Sequence, residues 1–153
     1  MRVYLACTVR GDRAGVAAGR AIAERLEALG HEVLTKHLLL DDVESIESTL
    51  TDEAIYGRDL EWVSSCDVLV AEASGSSYGV GFEVGFVLGR SAQSGQRALV
   101  LYASGRRHAI SRLITGNAHP ACRTVGYGSL DELRAAVDEF ARVDPGAARS
   151  TRK

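Results

Sequence analysis

Asp67-Val68-Leu69-Val70-Ala71-Glu72-Ala73-Ser74-Gly75-Ser76-Ser77-Tyr78-Gly79-Val80-Gly81-Phe82-Glu83 is the stretch on which the fold turns. Asp67 to Ala71 is an apolar run of strand length, whereas Val80 to Arg90 has helical spacing. The small residues between them make a tight strand-to-helix junction. Ser77 and Gly79 sit where a helix begins, and backbone N–H groups there are free to hold an anion. On that helix Glu83 shares a face with Val80, Val84 and Val87, which are core positions. An acid on a buried stripe is costly unless it is paired or used chemically. An anion cradle one turn from such a carboxylate suggests a phosphorylated substrate presented to it.

Outward from this unit, strand and helix patterns alternate. Val3 to Ala6 reads as a buried strand, and Ala14 to Leu29 as a helix with Ile22, Leu26 and Leu29 on one stripe and Gly30 as its stop. Glu32-Val33-Leu34 is a short second strand, ending near His37. Leu38 to Leu50 has no clean period and is expected to be a mobile loop over the site. Thr51 or Asp52 caps a helix to about Ser65. Arg97 to Tyr102 and the weaker Arg123-Thr124-Val125 supply two further strands, and Leu130, Leu133, Val137 and Phe140 stripe a last helix. Alternation with short connections specifies an α/β fold. The form expected is a flavodoxin-like, doubly wound parallel sheet of five strands in a three-layer α/β/α sandwich. Residues 1–143 form a single domain in this reading, and residues 144–153 a disordered tail. Ligands in such folds bind beyond the carboxyl ends of the strands, where the loops from Cys7, Thr35, Ala73 and Ala103 begin.

The 153 residues suffice for one core, and a net charge of −2 argues against a nucleic-acid polymer as partner. The apolar run at Met1 to Ala6 is too short for a signal peptide, and no segment approaches the ~20 residues of a membrane span. Three dispersed cysteines, Cys7, Cys66 and Cys122, fit reduced thiols in the cytoplasm rather than a disulfide framework. Cys66 and Cys122 read as core residues, and Cys7 has no base beside it to make it a nucleophile. His31, His37, His108 and His119 show no metal-ligand spacing.

Asp59 is the second acid of interest. On the helix after Thr51 it shares a face with Ile55, Trp62 and Cys66. It is either a helix-edge aspartate paired with Arg58 or a lysine, or the second carboxylate of a site. Two carboxyls in different environments are the usual equipment for splitting a glycosidic bond. Arg10, in the first strand-to-helix loop, is placed either to grip phosphate oxygens or simply to face solvent. His37 is equally open. Gly81, Gly85 and Gly89 flatten one helix face, for close packing on the sheet or for a contact between two subunits.

Taken together, Tyr4 to Arg13, Asp59-Leu60-Glu61-Trp62, Asp67 to Glu72 and Ser77 to Gly85 resemble the 2'-deoxynucleoside 5'-phosphate N-hydrolases of the nucleoside 2-deoxyribosyltransferase superfamily. The likeness runs from Val3 to about Phe140. It implies a homodimer that cleaves deoxynucleoside 5'-monophosphates to free base and 2-deoxyribose 5-phosphate, with no cofactor or metal. Glu83 would be the nucleophile at C1', Asp59 would assist at the base or sugar, and Tyr4 would orient the site. The first loop, Cys7-Thr8-Val9-Arg10-Gly11, would line the substrate, with Arg10, Ser77 and Gly79 on the 5'-phosphate. His37 would line the cavity, while Ser111 and Leu113 would enter from the partner subunit.

This sequence departs from that pattern in its first loop. Where the family usually reads Gly-Ser-Ile-Arg-Gly-Gly, residues 7–12 read Cys-Thr-Val-Arg-Gly-Asp. A second anion ~5 Å from a phosphate costs about 3 kcal/mol at an effective dielectric of ~20. Asp12 therefore points away from the phosphate, or the substrate is less anionic. The second possibility keeps open a nucleoside 2-deoxyribosyltransferase acting on unphosphorylated nucleosides. A nucleotide-binding module without turnover is the alternative outside enzymology.

Overall fold

The computed structural model describes residues 1–75 and 77–142. Its strands are β1 (Arg2–Ala6), β2 (Glu32–Val33), β3 (Val68–Glu72), β4 (Arg97–Ala103) and β5 (Cys122–Tyr127). They lie parallel in the order β2-β1-β3-β4-β5, the flavodoxin-like arrangement expected. The helices are α1 (Val16–Ala28), α2 (Val43–Glu47), α3 (Asp52–Ser65), α4 (Tyr78–Ser94), α5 (Arg112–Thr115) and α6 (Leu130–Arg142).

A parallel sheet is covered on both faces, so its strands are apolar throughout rather than alternating. Val3, Leu5, Val70, Leu99 and Leu101 point to one side, against Ile22 and Leu26 of α1 and Leu133, Val137 and Phe140 of α6. Tyr4, Ala6, Leu69, Ala71 and Val100 point to the other, against Val63 of α3 and Val80, Val84 and Val87 of α4. Helix ends are fixed locally. The Thr51 hydroxyl accepts from the Ala54 N–H at 3.2 Å to start α3, and the Ser77 hydroxyl accepts from Val80 N–H at 3.3 Å to start α4. Gly95 ends α4 in the left-handed conformation, φ 75°.

The chain winds outward from β1 to β2 and then crosses to β3 on the other side. This switch leaves a crevice above the ends of β1 and β3, where Ala6 and Ala71 are register partners. The loop from Cys7 and the loop from Ala73 therefore emerge side by side.

Two expectations are corrected. Residues 38–50 are not a loose cover over the site. They form a 3-10 turn, Lys36–Leu39, and α2, and they bury Leu38, Leu39, Val43 and Glu47. Arg13 donates to the Leu40 carbonyl at 2.9 Å and Arg20 to the Leu39 carbonyl at 3.0 Å, which ties the segment to α1. Cys66 is buried, but Cys122 is only half-buried at the edge strand. The predicted tail of residues 144–153 lies outside the described residues.

Candidate active site

A cavity of about 510 Å³ occupies the crevice. Glu83, one turn into α4, lines it together with Cys7. The Tyr4 hydroxyl rises from the middle of β1 and donates to Glu83 Oε1 at 2.6 Å. Tyr4 is fully buried, so the most rigid part of the sheet fixes the position of the carboxyl group. Burial raises the Glu83 carboxyl from 4.5 to about 7; the Tyr4 hydrogen bond opposes the rise and the Asp59 charge adds to it. Burial, and then the Glu83 charge, hold the Tyr4 phenol far above its ordinary value, so it stays a donor. Burial also pushes the Cys7 thiol up to about 12, which leaves it neutral and unsuited to attack.

Part of the cavity lining suits an anion. Val9 and Arg10 of the first loop face Ser77, Tyr78 and Gly79 at the start of α4. Among the described residues Arg10 has no ion-pair or hydrogen-bond partner, and no acceptor takes the N–H groups of Tyr78 and Gly79. A helix N-terminus with free donors and an unpaired guanidinium is the arrangement phosphate binding needs. Asp12 is not part of this lining. One of its oxygens accepts from the Ala14 N–H at 3.0 Å, and the other is paired with Arg106. Arg106 in turn donates to the Ser74 carbonyl at 2.9 Å. Arg106 was not singled out in the sequence, since it lies 94 residues from Asp12 and carries no local signal.

Helices α2 and α3 supply an acidic part of the lining. Glu47, Asp52 and Asp59 belong to it, with Leu38, Ile55 and Tyr56. Arg58 reaches Asp59 Oδ1 at 2.8 Å and Glu47 Oε1 at 2.7 Å while lying 5.1 Å over the Trp62 ring. Asp59 is thus both a partner of Arg58 and a wall of the cavity. His37 does not line the cavity in this structure. It lies behind Glu47, its Nε2 3.8 Å from Glu47 Oε1, packed edge-on to Trp62. Burial, reinforced by Arg58, lowers its tendency to protonate.

The remaining expected residues stand outside the cavity of the single chain. Thr8 is buried beneath the first loop and Gly11 is exposed, with φ 96°. Ser111 caps α5 by accepting from the Leu113 N–H at 3.3 Å, and Leu113 is 86% exposed. A buried acid the sequence reading passed over, Glu72 at the end of β3, accepts from the Ser74 N–H at 3.1 Å and the Tyr127 hydroxyl at 2.8 Å. It anchors the turn that leads to Ser77 and packs against Gly15, where a Cβ would come within 1.7 Å of its carboxylate. Among the described residues no group of three or more His, Cys, Asp or Glu is placed to hold a metal ion, and no helix is long and apolar enough to cross a membrane.

A family model described as nucleoside 2-deoxyribosyltransferase matches residues 3–144. The chain belongs to that family. Among curated relatives, a Thermofilum pendens protein named "Putative 2'-deoxynucleoside 5'-phosphate N-hydrolase 1" is 37% identical over 147 residues, covering 96% of this chain and 97% of the relative. The Danio rerio 5-hydroxymethyl-dUMP N-hydrolase is 32% identical, covering 92% of this chain and 95% of that protein. The fold recurs in a Clostridium botulinum CMP N-glycosidase, with TM-score 0.64, 19% identity and coverage of 92% and 99%. It also recurs in a 2-deoxyribosyltransferase of Bacillus psychrosaccharolyticus, with TM-score 0.56, 17% identity and coverage of 88% and 90%. Within this member of the nucleoside 2-deoxyribosyltransferase family, the Tyr4–Glu83 pair, the free α4 N-terminus and the Arg58-linked acids share one cavity.

Proposed function

We propose that this protein is an N-glycosidase that hydrolyses 2'-deoxynucleoside 5'-monophosphates to free base and 2-deoxyribose 5-phosphate, with Glu83 as nucleophile. The observation that carries the proposal is Glu83 itself: a half-buried carboxyl pinned by Tyr4, lining a cavity that Arg10 and the start of α4 also line. The names of the curated relatives support the same reading.

The 5'-phosphate takes Arg10 and the N–H groups at the start of α4, which holds C1' over the carboxylate. Glu83 Oε2, the oxygen not held by Tyr4, attacks C1' as the C1'–N bond breaks. The bonding pair leaves with the base, which acquires a proton from Asp59 or solvent. A 2-deoxyribosyl cation lacks the electron-withdrawing 2'-hydroxyl and forms readily, so a carboxylate beneath it supplies most of what the step requires. Water then attacks C1' of the glycosyl ester, the C1'–Oε2 bond breaks to release the Glu83 carboxylate, and the water's proton passes to solvent. No metal or cofactor enters this scheme.

A homodimer in the cytoplasm completes the proposal. Tyr78 is fully exposed, and Phe82 is exposed beside the bare glycine face of Gly85 and Gly89. This stripe of α4, next to the site, suits a second copy whose Ser111 and Leu113 would close the cavity. The Arg106 clasp removes the objection that Asp12 raised to a phosphate, and with it the main reason to favour a transferase on unphosphorylated nucleosides.

Chromatography of free base tests the assignment, with each deoxynucleoside 5'-monophosphate run beside its nucleoside and ribonucleotide. Release confined to the deoxy monophosphates is expected. Release only from nucleosides, with sugar passed to an added base, would establish the transferase instead. Nucleotide binding without release would leave the binding module.

A further inference from the structure

Arg13 is a half-buried arginine with no part in the scheme above, and it does not line the cavity. Its guanidinium donates to three carbonyl oxygens on two separate segments: Val9 at 3.3 Å, Leu38 at 3.4 Å and Leu40 at 2.9 Å. Val9 belongs to the first loop, and Gly11, with φ 96°, lies in the turn between that acceptor and Arg13. Leu38 and Leu40 belong to the segment that follows β2 and leads into α2.

Both segments supply cavity wall, Val9 and Arg10 from the first and Leu38 and Glu47 from the second. The sheet does little to hold these walls together. β1 and β2 share two register pairs, Arg2 with Glu32 and Val3 with Val33. Beyond them the Leu34 N–H donates to the Val3 carbonyl, and the Thr35 hydroxyl bonds to the backbone of Leu5. Past Leu5 and Thr35, the hydrogen bonds between residues 6–13 and residues 36–50, among the described residues, are those of Arg13 alone.

Resting on the nucleotide N-glycosidase reading above, we infer that Arg13 is a positioning residue that fixes the first loop, and with it Arg10, against the Leu38 wall. The cavity is thereby preformed for a nucleotide. A planar guanidinium offers five N–H donors in one rigid fork, so it can serve several carbonyls in a single geometry; a lysine carries the same charge without that plane. Glu83 and Tyr4 are bonded to each other from α4 and β1 and not to Arg13. Loosening the walls therefore weakens binding and leaves the bond-breaking step intact.

Steady-state kinetics of Arg13→Gln and Arg13→Lys test this, using the deoxynucleoside 5'-monophosphate that the parent cleaves fastest. Arg20→Gln is the comparator. Arg20 donates to the Leu39 carbonyl at 3.0 and 2.8 Å and pairs with Asp41, so it ties the same segment to α1 without bonding to the first loop. Arg13→Gln should raise KM ~10-fold or more with kcat within ~3-fold. Arg13→Lys should still raise KM at least ~5-fold, and Arg20→Gln should leave it within ~2-fold. A KM within ~3-fold of the parent in Arg13→Gln would overturn the inference. Equal rises in Arg13→Gln and Arg20→Gln would reduce Arg13 to a structural tie, and the parent's KM in Arg13→Lys would reduce it to a charge; either overturns it too. If Arg13→Gln does not fold, Arg13→Lys and Arg20→Gln decide by the same limits.

Calorimetric titration with the four common deoxynucleoside 5'-monophosphates separates this inference from the reading beneath it. If the parent binds them but releases no base, the hydrolase reading fails, and the same fold-changes are read in Kd. If the parent releases base and Arg13→Gln keeps its KM, the hydrolase reading stands and the role of Arg13 fails. No binding by the parent overturns both.

Discussion

Replacing Glu83 by Gln should stop turnover and make the protein more stable at alkaline pH. The folded carboxyl titrates at about 7 against 4.5 for the free group, mainly because it is buried. At ~1.4 kcal/mol for each factor of ten, ionising it within the fold costs about 3 kcal/mol. The sign follows from proton binding. A carboxyl that holds its proton more tightly when folded stabilises the fold below about pH 4.5, and this contribution is lost as pH rises through about 7. Gln is neutral throughout and can still accept from Tyr4, although an unpaired amide N–H gives back ~1 kcal/mol. The net gain of about 2 kcal/mol at pH 8 corresponds to a Tm higher by roughly 4–8 °C for a domain near this size. By pH 5 about three quarters of the ionisation cost has gone, and the two melting curves should nearly coincide. Thermal unfolding followed by circular dichroism at pH 5, 7 and 8, with base release measured in parallel, tests both halves. A variant that is less stable than its parent by the same amount at every pH would refute the argument that burial strains this carboxyl. Undiminished kcat would refute its role as nucleophile.

Tyr4→Phe removes the hydrogen bond that holds Glu83 down, so the acid limb of the kcat/KM profile should move to higher pH while kcat falls ~10-fold or more; an unmoved limb would dissociate Tyr4 from the carboxyl. Gly15→Ala drives a Cβ into Glu72, which is buried and held on several sides, and should cost several kcal/mol of stability by denaturant titration. Mixing Ser111→Ala subunits with Glu83→Gln subunits should restore part of the activity, because one of the two sites in the mixed dimer regains every native group. No recovery after demonstrated subunit exchange would argue against a shared site.

The sheet was legible because its strands are nearly pure apolar runs, such as Val3 to Ala6 and Val68 to Ala71, a pattern that only burial on both faces demands. Glu83 was legible because it interrupts a helical apolar stripe. Residues 38–50 were not. Leu38, Leu39, Val43 and Glu47 are buried by a turn, a single helical turn and two arginines of the neighbouring segment, none of which imposes a period. The acid pair that Arg58 links was half visible. Asp59 and Arg58 are adjacent, but Glu47 joins them across 11 residues through a contact that exists only in three dimensions. The same holds for Glu72, whose partner Tyr127 lies 55 residues away.

The Arg106–Asp12 clasp has an implication for the history of the family. An aspartate beside the proposed phosphate site would repel the substrate if it stood alone, and an arginine at position 106 without it would add an unbalanced charge above Ser74. Each charge offsets the other only when both are present. Positions 12 and 106 should therefore change as a couple across relatives: the aspartate should occur with a basic residue, and the glycine usual at position 12 should leave position 106 free to drift. The pairing would then serve as a marker of descent, separating this lineage from members whose first loop never acquired an acid.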